Sequence, residues 1–288
     1  MVVHQVAKFH YLRWDDKFTH EKPYSILSGI SDDSPVLKSN VSFEENPNEE
    51  TITDMREAPH SYSLDTHGFN FHQVQSSFAN WFDREQVESV FIPQVVEPFL
   101  KKHVPNAHRI VVFNWRLRRN ICDEDSNRVD LNDGTHPILP ARAVHIDQTP
   151  AGVVRRVRHH LGKDEANKAL KGRVRLINFW KPLRYPVRDA PLAICDGSVV
   201  RMQDLIGCDL VKRTYTGETA FILPNPLFRW YYLSDQREDE ALIFKMFDSD
   251  SSCPARSCPH AAFTPSKEYD ESYPRESIEV RALILSDV

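Results

Sequence analysis

Glycine is scarce in this chain, with 9 residues among 288, whereas proline is common, with 19. Neither a GxGxxG nor a GxxxxGK[ST] motif occurs, so the glycine-rich phosphate loops of doubly wound nucleotide-binding folds are not expected. A basic excess is also lacking, because 36 Lys and Arg stand against 41 Asp and Glu and give a net charge of -5. Since nucleic-acid-binding proteins usually carry such an excess, we do not expect a nucleic-acid partner.

Long apolar segments are absent as well. The uninterrupted apolar runs, such as Ile110–Phe113, are far shorter than the ~20 residues that span a bilayer. The first residues, MVVHQVAK, lack the apolar core and the small-residue cleavage site of a secretory signal. Five scattered cysteines, an odd number, are typical of reduced thiols in an intracellular protein. We therefore predict a soluble cytoplasmic protein without a membrane partner.

Short apolar runs between proline-rich turns predict a β-rich fold. Helices are expected over 82–103 and from Thr149-Pro150 to about Leu170. The polar segments 31–59 and Asn120–His136 are expected to be surface loops, and the second is a candidate lid over the site. Strands are expected at 110–115, 141–147, 173–180, 191–195, 219–223, 228–233, 241–247, 260–264 and 276–285.

Many short strands with few helices are typical of a sandwich or jelly roll. We therefore predict an α+β, β-rich architecture with flanking helices. The chain is expected to form one domain over 1–288, in which residues 1–105 decorate a β core formed by 106–288.

The first chemically informative motif is His145-Ile146-Asp147. Because residues i and i+2 of a strand point to the same face, this imidazole and this carboxylate can converge on one metal ion. Alone, the motif is a weak signal, and a paired surface His and Asp is the favoured interpretation. With His260, which is separated from Asp147 by 112 residues, it forms the set of two histidines and one carboxylate that non-haem Fe(II) oxygenases use. That triad leaves coordination positions open for a 2-oxo acid and for O2.

A second polar row follows the distal histidine. Arg275, Ser277, Glu279 and Arg281 share one face of a predicted strand, which requires either water or an anionic partner. Arginine binds a carboxylate bidentately, so Arg275 assisted by Ser277 is the predicted anchor for the distal carboxylate of 2-oxoglutarate. Arg281 is the second choice, since it lies roughly 20 Å further along the strand and only one of the two arginines can meet a cosubstrate bound to the iron.

The sequence resembles a known family. The matching segments are 145–150 (HIDQTP), 178–183 (NFWKPL), 189–196 (DAPLAICD), 230–232 (WYY), 240–245 (EALIFK) and 275–281 (RESIEVR). They resemble the fungal hydroxylase/desaturase family typified by the aspergillic acid pathway enzyme AsaB, which is related to the CmcJ-like oxygenases. The insert 253–259 (CPARSCP) departs from that pattern.

The resemblance implies an Fe(II)/2-oxoglutarate-dependent dioxygenase on a double-stranded β-helix, with O2 as the oxidant. It further implies that the enzyme hydroxylates, desaturates or oxidatively cyclises a small secondary metabolite, which is amino-acid-derived in some members. For Asn178 and Trp180, the resemblance suggests contact with substrate. Trp180 or Lys181 is expected near the cosubstrate.

Three other interpretations remain open at this stage. Cys253, Cys258 and His260 have the spacing of half a zinc site, but no second Cys/His pair lies nearby in the sequence. The basic run 155–160 (RRVRHH) is expected to be a solvated helix face, although one of its arginines can reach a site next to the preceding strand. The alternative function is that of a metal-dependent hydrolase or isomerase with the same His/Asp/His set, in which the Arg275 row has no clear task.

Overall fold

The computed structural model describes residues 3–27, 37–120, 133–212, 215–266 and 273–287. Helix α1 consists of three consecutive segments, Arg84–Gln86, the π-helical Val87–Val96 and Glu97–His103. The other helices are α2 (Pro150–Leu161) and α3 (Lys163–Ala169). Short 3-10 turns lie at Asp16–Thr19, Met55–Glu57, Gly197–Val199 and Met202–Asp204. The strands are β1 (Gln5–Ala7), β2 (His10–Leu12), β3 (Tyr24–Ile26), β4 (Phe43–Glu45), β5 (Glu50–Asp54), β6 (Phe69–Gln73), β7 (Arg109–Arg119), β8 (His145–Ile146), β9 (Arg173–Pro182), β10 (Leu192–Cys195), β11 (Ile206–Val211), β12 (Thr216–Phe221), β13 (Trp230–Tyr232), β14 (Glu240–Asp248), β15 (His260–Ala262) and β16 (Glu276–Ser286).

Two sheets form the body of the fold. Nine strands hydrogen-bond in the order β1-β5-β13-β10-β15-β8-β12-β11-β3, and five in the order β6-β14-β9-β16-β7. One apolar cluster joins the sheets, with Ile146 and Ile194 from the first and Trp180 and Phe244 from the second. A second cluster packs α1 against the other face of the five-stranded sheet. The predicted β-rich jelly roll with flanking helices is confirmed.

The first third of the chain contributes strands to both sheets. β1, β3 and β5 belong to the nine-stranded sheet, and β6 lies at the edge of the five-stranded one. The boundary between residues 105 and 106 stays a prediction. The predicted second polar loop falls largely on residues 121–132, outside the described part of the chain.

The expectation of a loop over 31–59 is wrong for its second half, which contains β4 and β5. β5 pairs with β1 and β13, and both Ile52 and Asp54 are fully buried. The Asp54 carboxylate accepts hydrogen bonds from the backbone amides of Val3, Arg56 and Ser234. Its acidic side chain is thus a buried acceptor and not a solvated group, which is why the polar composition was misleading. The strand β11 was also not predicted.

Helix α2 begins where the sequence predicts. The Thr149 side chain accepts a hydrogen bond from the Gly152 amide, and Pro150 occupies the first turn, where no intrahelical donor is needed. The helix ends at Gly162, whose φ of 73° suits glycine, and α3 begins directly afterwards. The predicted single helix to Leu170 is therefore two helices. This start places α2 immediately beside the strand that contains His145.

Two histidine rings stack where β6 meets the end of α1. The ring centroids of His72 and His103 are 3.8 Å apart, and burial, together with the neighbouring His103, lowers the pKa of His72 to about 4. Burial also lowers the pKa of His103. Both imidazoles are therefore neutral in the folded protein at neutral pH.

We expect this stack to weaken the metal-free protein in acid. In the unfolded chain an imidazole binds a proton near pH 6.5, whereas His72 in the folded protein binds one only near pH 4. Its contribution to the free energy of unfolding is therefore complete above pH 6.5 and is lost as the pH falls from 6.5 to about 4. Over this pH range, the free energy of unfolding of His72→Phe should fall by about 1 kcal/mol less than that of the wild type, a value reduced for solvent screening. Urea unfolding from pH 7.5 to pH 4.5 measures it, with the exposed His60→Phe as control. Equal pH slopes for His72→Phe and the wild type would contradict the assignment.

Candidate active site

Three predicted ligands meet between the two sheets. His145 on β8 pairs in register with His260 on β15, and Asp147 follows β8 directly. The Nε2 atom of His145 lies 3.7 Å from Oδ1 of Asp147, and the two imidazole centroids are 4.3 Å apart. One ligand atom from each of the three residues lies within 4.8 Å of the others. Residues separated by more than a hundred positions in the sequence thus form one compact set of donors.

The hydrogen bonds of both imidazoles direct Nε2 toward this centre. Nδ1 of His145 lies 2.8 Å from the Ala143 carbonyl, and Nδ1 of His260 lies 3.3 Å from the Cys258 carbonyl. The Nε2 atom of His260 is fully buried and has no hydrogen-bond partner. Buried polar atoms are rarely left in this state, and a divalent metal bound by the three residues satisfies this one. The donor set therefore fits Fe(II) bound in a facial triad.

The Asp147 carboxylate is held by the opposite sheet. Asn178 on β9 donates to Oδ2 at 2.5 Å, and Arg281 on β16 donates from Nε at 3.1 Å and from Nη2 at 2.8 Å. Arg281 also donates to Asn114 at 2.9 Å and to Glu279. The register of β7, β16 and β9 places Asn114, Arg281 and Asn178 in one row. This row fixes the orientation of the carboxylate ligand.

The electrostatics favour the protonation states that a metal requires. Burial lowers the pKa of His260 to about 3, and the neighbouring His145 adds to this effect. Burial also lowers the pKa of His145. Burial alone would raise the pKa of Asp147, but the Arg281 guanidinium and the hydrogen bond from Asn178 outweigh it and hold this pKa well below its ordinary value. The two imidazoles are thus neutral and the carboxylate is charged, as metal ligands must be.

Comparisons with known proteins give the family of this chain. A family model described as "Oxidoreductase/YMDC permease-like domain" matches residues 9–285. The hydroxylase/desaturase efuI of Hormonema carpetanum is 31% identical over 250 residues, which are 81% of this chain and 82% of that protein. The Fe(II)/2-oxoglutarate-dependent dioxygenase nvfI of Aspergillus novofumigatus is 32% identical over 256 residues, 86% of each chain.

The chain belongs to this fungal oxygenase family. A solved structure of the iron and alpha-ketoglutarate-dependent endoperoxidase NvfI superposes with a TM-score of 0.81 at 26% identity and covers 99% of both chains. The chain is an Fe(II)/2-oxoglutarate-dependent dioxygenase, for which 2-oxoglutarate and O2 are cosubstrates. The hydrolase or isomerase alternative finds no support among these relatives. Within its described residues the oxygenase has no helix that is long and apolar enough to cross a membrane.

Arg275 directly precedes β16, two residues before Ser277. Its guanidinium donates to the Ala190 carbonyl at 2.5 Å and to the Ser277 hydroxyl at 3.2 Å, and it lies 5.0 Å from the Trp180 ring. Burial lowers its pKa to about 9, with Arg118 adding to the effect. No carboxylate side chain of the described residues contacts this guanidinium, and the neighbouring Nε1 of Trp180 is buried without a partner. The oxygenase therefore has a buried cation with donor capacity left for an anion.

A cavity of about 570 Å3 opens from the triad of the oxygenase. His145, Asp147 and Arg281 line one part of it, and Arg116 and Arg118 on β7 line another. These two arginines were not among the site residues predicted from the sequence. The sequence does contain a pattern that could have identified them. In β7, Asn114, Arg116 and Arg118 alternate with the buried Trp115 and Leu117. Polar and apolar residues alternate in the same way along β16.

The second group of metal-ligating side chains in the described part of the chain does not resemble a metal site. Asp65, Asp248 and Cys253 surround the buried Nζ atom of Lys245 at 3.0, 2.5 and 3.1 Å. The ammonium group thus occupies the place that a cation would take. Cys258 instead contacts the His67 carbonyl at 3.5 Å, so the half zinc site of the sequence is not assembled.

Proposed function

We propose that this oxygenase hydroxylates, desaturates or oxidatively cyclises a small-molecule intermediate of fungal secondary metabolism, with His145, Asp147 and His260 as the iron ligands. The observation that supports these ligands best is the partnerless Nε2 of His260 beside a charged carboxylate and a second imidazole. Iron bound there, with 2-oxoglutarate and O2, supplies oxidation of a C–H bond with release of succinate and CO2. The cytoplasmic location and the absence of a nucleic-acid partner stay predictions.

We assign the anchoring of the cosubstrate to Arg275 and Ser277. Arg281 is already bidentate to Asp147, so it positions the metal ligand and has no free fork for a second carboxylate. Arg275 lacks a carboxylate partner among the described residues, and the orphan Nε1 of Trp180 offers a further donor beside it. Trp180 is therefore proposed as a cosubstrate contact. Asn178 holds Asp147, and its predicted contact with substrate rests on its remaining orphan Oδ1 atom.

The requirement for metal and oxygen tests this function. Protein loaded with Fe(II) should release succinate from 2-oxoglutarate only in the presence of O2, and a panel of small fungal metabolites should contain compounds that accelerate the release. Mass spectrometry of the consumed compound then shows the gain of an oxygen atom or the loss of two hydrogens. Turnover of such a compound by Zn(II)-loaded protein without O2 would contradict the proposal.

Arg281→Lys should separate positioning of the metal ligand from binding of the cosubstrate. Lysine retains the positive charge but loses the fork that grips Asp147, so we expect iron affinity to fall about 10- to 100-fold while the KM for 2-oxoglutarate at saturating iron stays close to that of the wild type. Titration of the protein with Fe(II) measures the first quantity and initial rates of succinate release measure the second. A raised KM with unchanged iron affinity would show that Arg281 binds the cosubstrate.

A further inference from the structure

One wall of the active-site cavity contains three polar atoms without partners. Nε of Arg156 on α2, the hydroxyl of Tyr215 and Oε1 of Gln148 are all buried, and none has a hydrogen-bond partner. The three residues line the same cavity as His145 and Asp147. Since buried polar atoms in native proteins are almost always paired, three orphans on one cavity wall indicate a ligand that supplies the missing partners.

The guanidinium of Arg156 lies over two aromatic rings. Its carbon lies 4.9 Å from the ring centroid of Phe113 and 4.4 Å from that of Tyr215. Cation–π contacts restrain the guanidinium but satisfy none of its N–H donors, and its buried Nε has no hydrogen-bond partner. No carboxylate of the described residues forms an ion pair with Arg156. A guanidinium without an ion-pair partner suits an incoming carboxylate.

The charged side chains that line the cavity also favour an anionic ligand. Arg118 donates to the Leu139 carbonyl and Arg142 to the Thr264 hydroxyl, so neither is neutralised by a carboxylate of the described residues. Both line the cavity, where Asp147 is the carboxylate among the described lining residues and is already engaged by Arg281. The distal carboxylate of 2-oxoglutarate has its own anchor at Arg275. The cosubstrate therefore does not neutralise the positive charge of Arg156.

We propose that the primary substrate of this oxygenase carries a carboxylate, which Arg156 and the Tyr215 hydroxyl bind. Its carbon skeleton packs against the apolar side chains that share the cavity, which include Phe113 and Phe221, and a hydroxyl or amide N–H of the substrate donates to Oε1 of Gln148. This inference rests on the proposed function and narrows its substrate class to carboxylic acids with an apolar body.

Matched pairs of acids and amides test the inference without knowledge of the natural substrate. Phenylacetate, naphthylacetate and decanoate are titrated by calorimetry, beside their primary amides, into the Fe(II) protein saturated with 2-oxoglutarate and kept free of O2. We expect carboxylates to bind at least tenfold more tightly than their amides. The visible absorption of the Fe(II)–2-oxoglutarate complex is recorded on the same samples. If that absorption is missing, the proposed function fails; if it is present and no acid is preferred over its amide, only this inference is overturned.

Variants locate the carboxylate. Arg156→Gln should abolish the preference for acids, whereas Arg158→Gln, an exposed arginine of the same helix, should leave it unchanged. Tyr215→Phe retains the ring that stacks on Arg156 and removes only the hydroxyl, so it tests the site even if Arg156→Gln does not fold. We expect it to weaken binding of acids about tenfold and binding of amides less. A preference that survives both Arg156→Gln and Tyr215→Phe, or that is lost in Arg142→Gln instead, would overturn the assignment.

Discussion

Replacing His260 by leucine is expected to abolish iron binding and to leave the metal-free fold at least as stable as the wild type. The Nε2 atom of His260 is buried without a partner, so without a metal the imidazole carries an unmet desolvation cost. Leucine fills similar space beside Phe244, whose ring centroid lies 4.9 Å from that of His260. The metal, in contrast, loses one of three protein ligands. Iron-dependent succinate release should fall by about a thousandfold or more.

Thermal unfolding with and without metal separates these two effects. Because a ligand that binds only the folded state stabilises it, Co(II) or Fe(II) should raise the Tm of the wild type and leave that of His260→Leu unchanged. His159→Leu is the matched control, since this exposed histidine lines the cavity but is not among the three ligands. If His260→Leu still gains stability from metal, or if its metal-free form is strongly destabilised, His260 is a structural residue and the triad is wrong.

Replacing Arg275 by glutamine is expected to raise the KM for 2-oxoglutarate at least tenfold while iron affinity stays the same. Truncating one partner of a buried charge-assisted pair costs about 2–5 kcal/mol, because the other charge is left unpaired. Ser277→Ala removes one neutral donor and should raise the KM only severalfold. Succinate release at varied 2-oxoglutarate and saturating iron measures both values.

Arg142→Gln serves as the control for Arg275→Gln, because Arg142 is near Arg275 but contacts Thr264. Its KM for 2-oxoglutarate should match that of the wild type. If the KM rises in Arg281→Lys and not in Arg275→Gln, the anchor is Arg281. If it rises in neither variant, the carboxylate of the cosubstrate binds elsewhere in the site.

Local periodicity was sufficient to predict much of the site. The i, i+2 spacing placed His145 and Asp147 on one face, and the alternation of β16 placed Arg275 and Arg281 on another. What the sequence lacked was the pairing between distant strands. Only the register of β16 with β9, which sets Arg281 beside Asn178, shows which end of the polar row lies beside Asp147. Such pairings depend on contacts that no local pattern encodes.

The cavity wall illustrates a second limit. Helical periodicity makes Val153 and Val157 the buried face of α2, and Arg156 lies at the border of that face. The sequence therefore allowed one arginine of the basic run to reach the site but did not identify it. The rings that hold it come from β7 and from Tyr215, which are distant in sequence. In β5, polar residues such as the buried acceptor Asp54 give a loop-like composition to a strand that is paired on both sides.

The central claim is that His145, Asp147 and His260 bind an iron that also binds 2-oxoglutarate. An anaerobic titration of the Fe(II) protein with 2-oxoglutarate, followed by visible absorption, tests it without any primary substrate. We predict a metal-to-ligand charge-transfer band that saturates at one equivalent of 2-oxoglutarate in the wild type and in His159→Leu, and that is absent in His260→Leu. A wild-type protein without the band, or a band of equal intensity in His260→Leu, would contradict the claim.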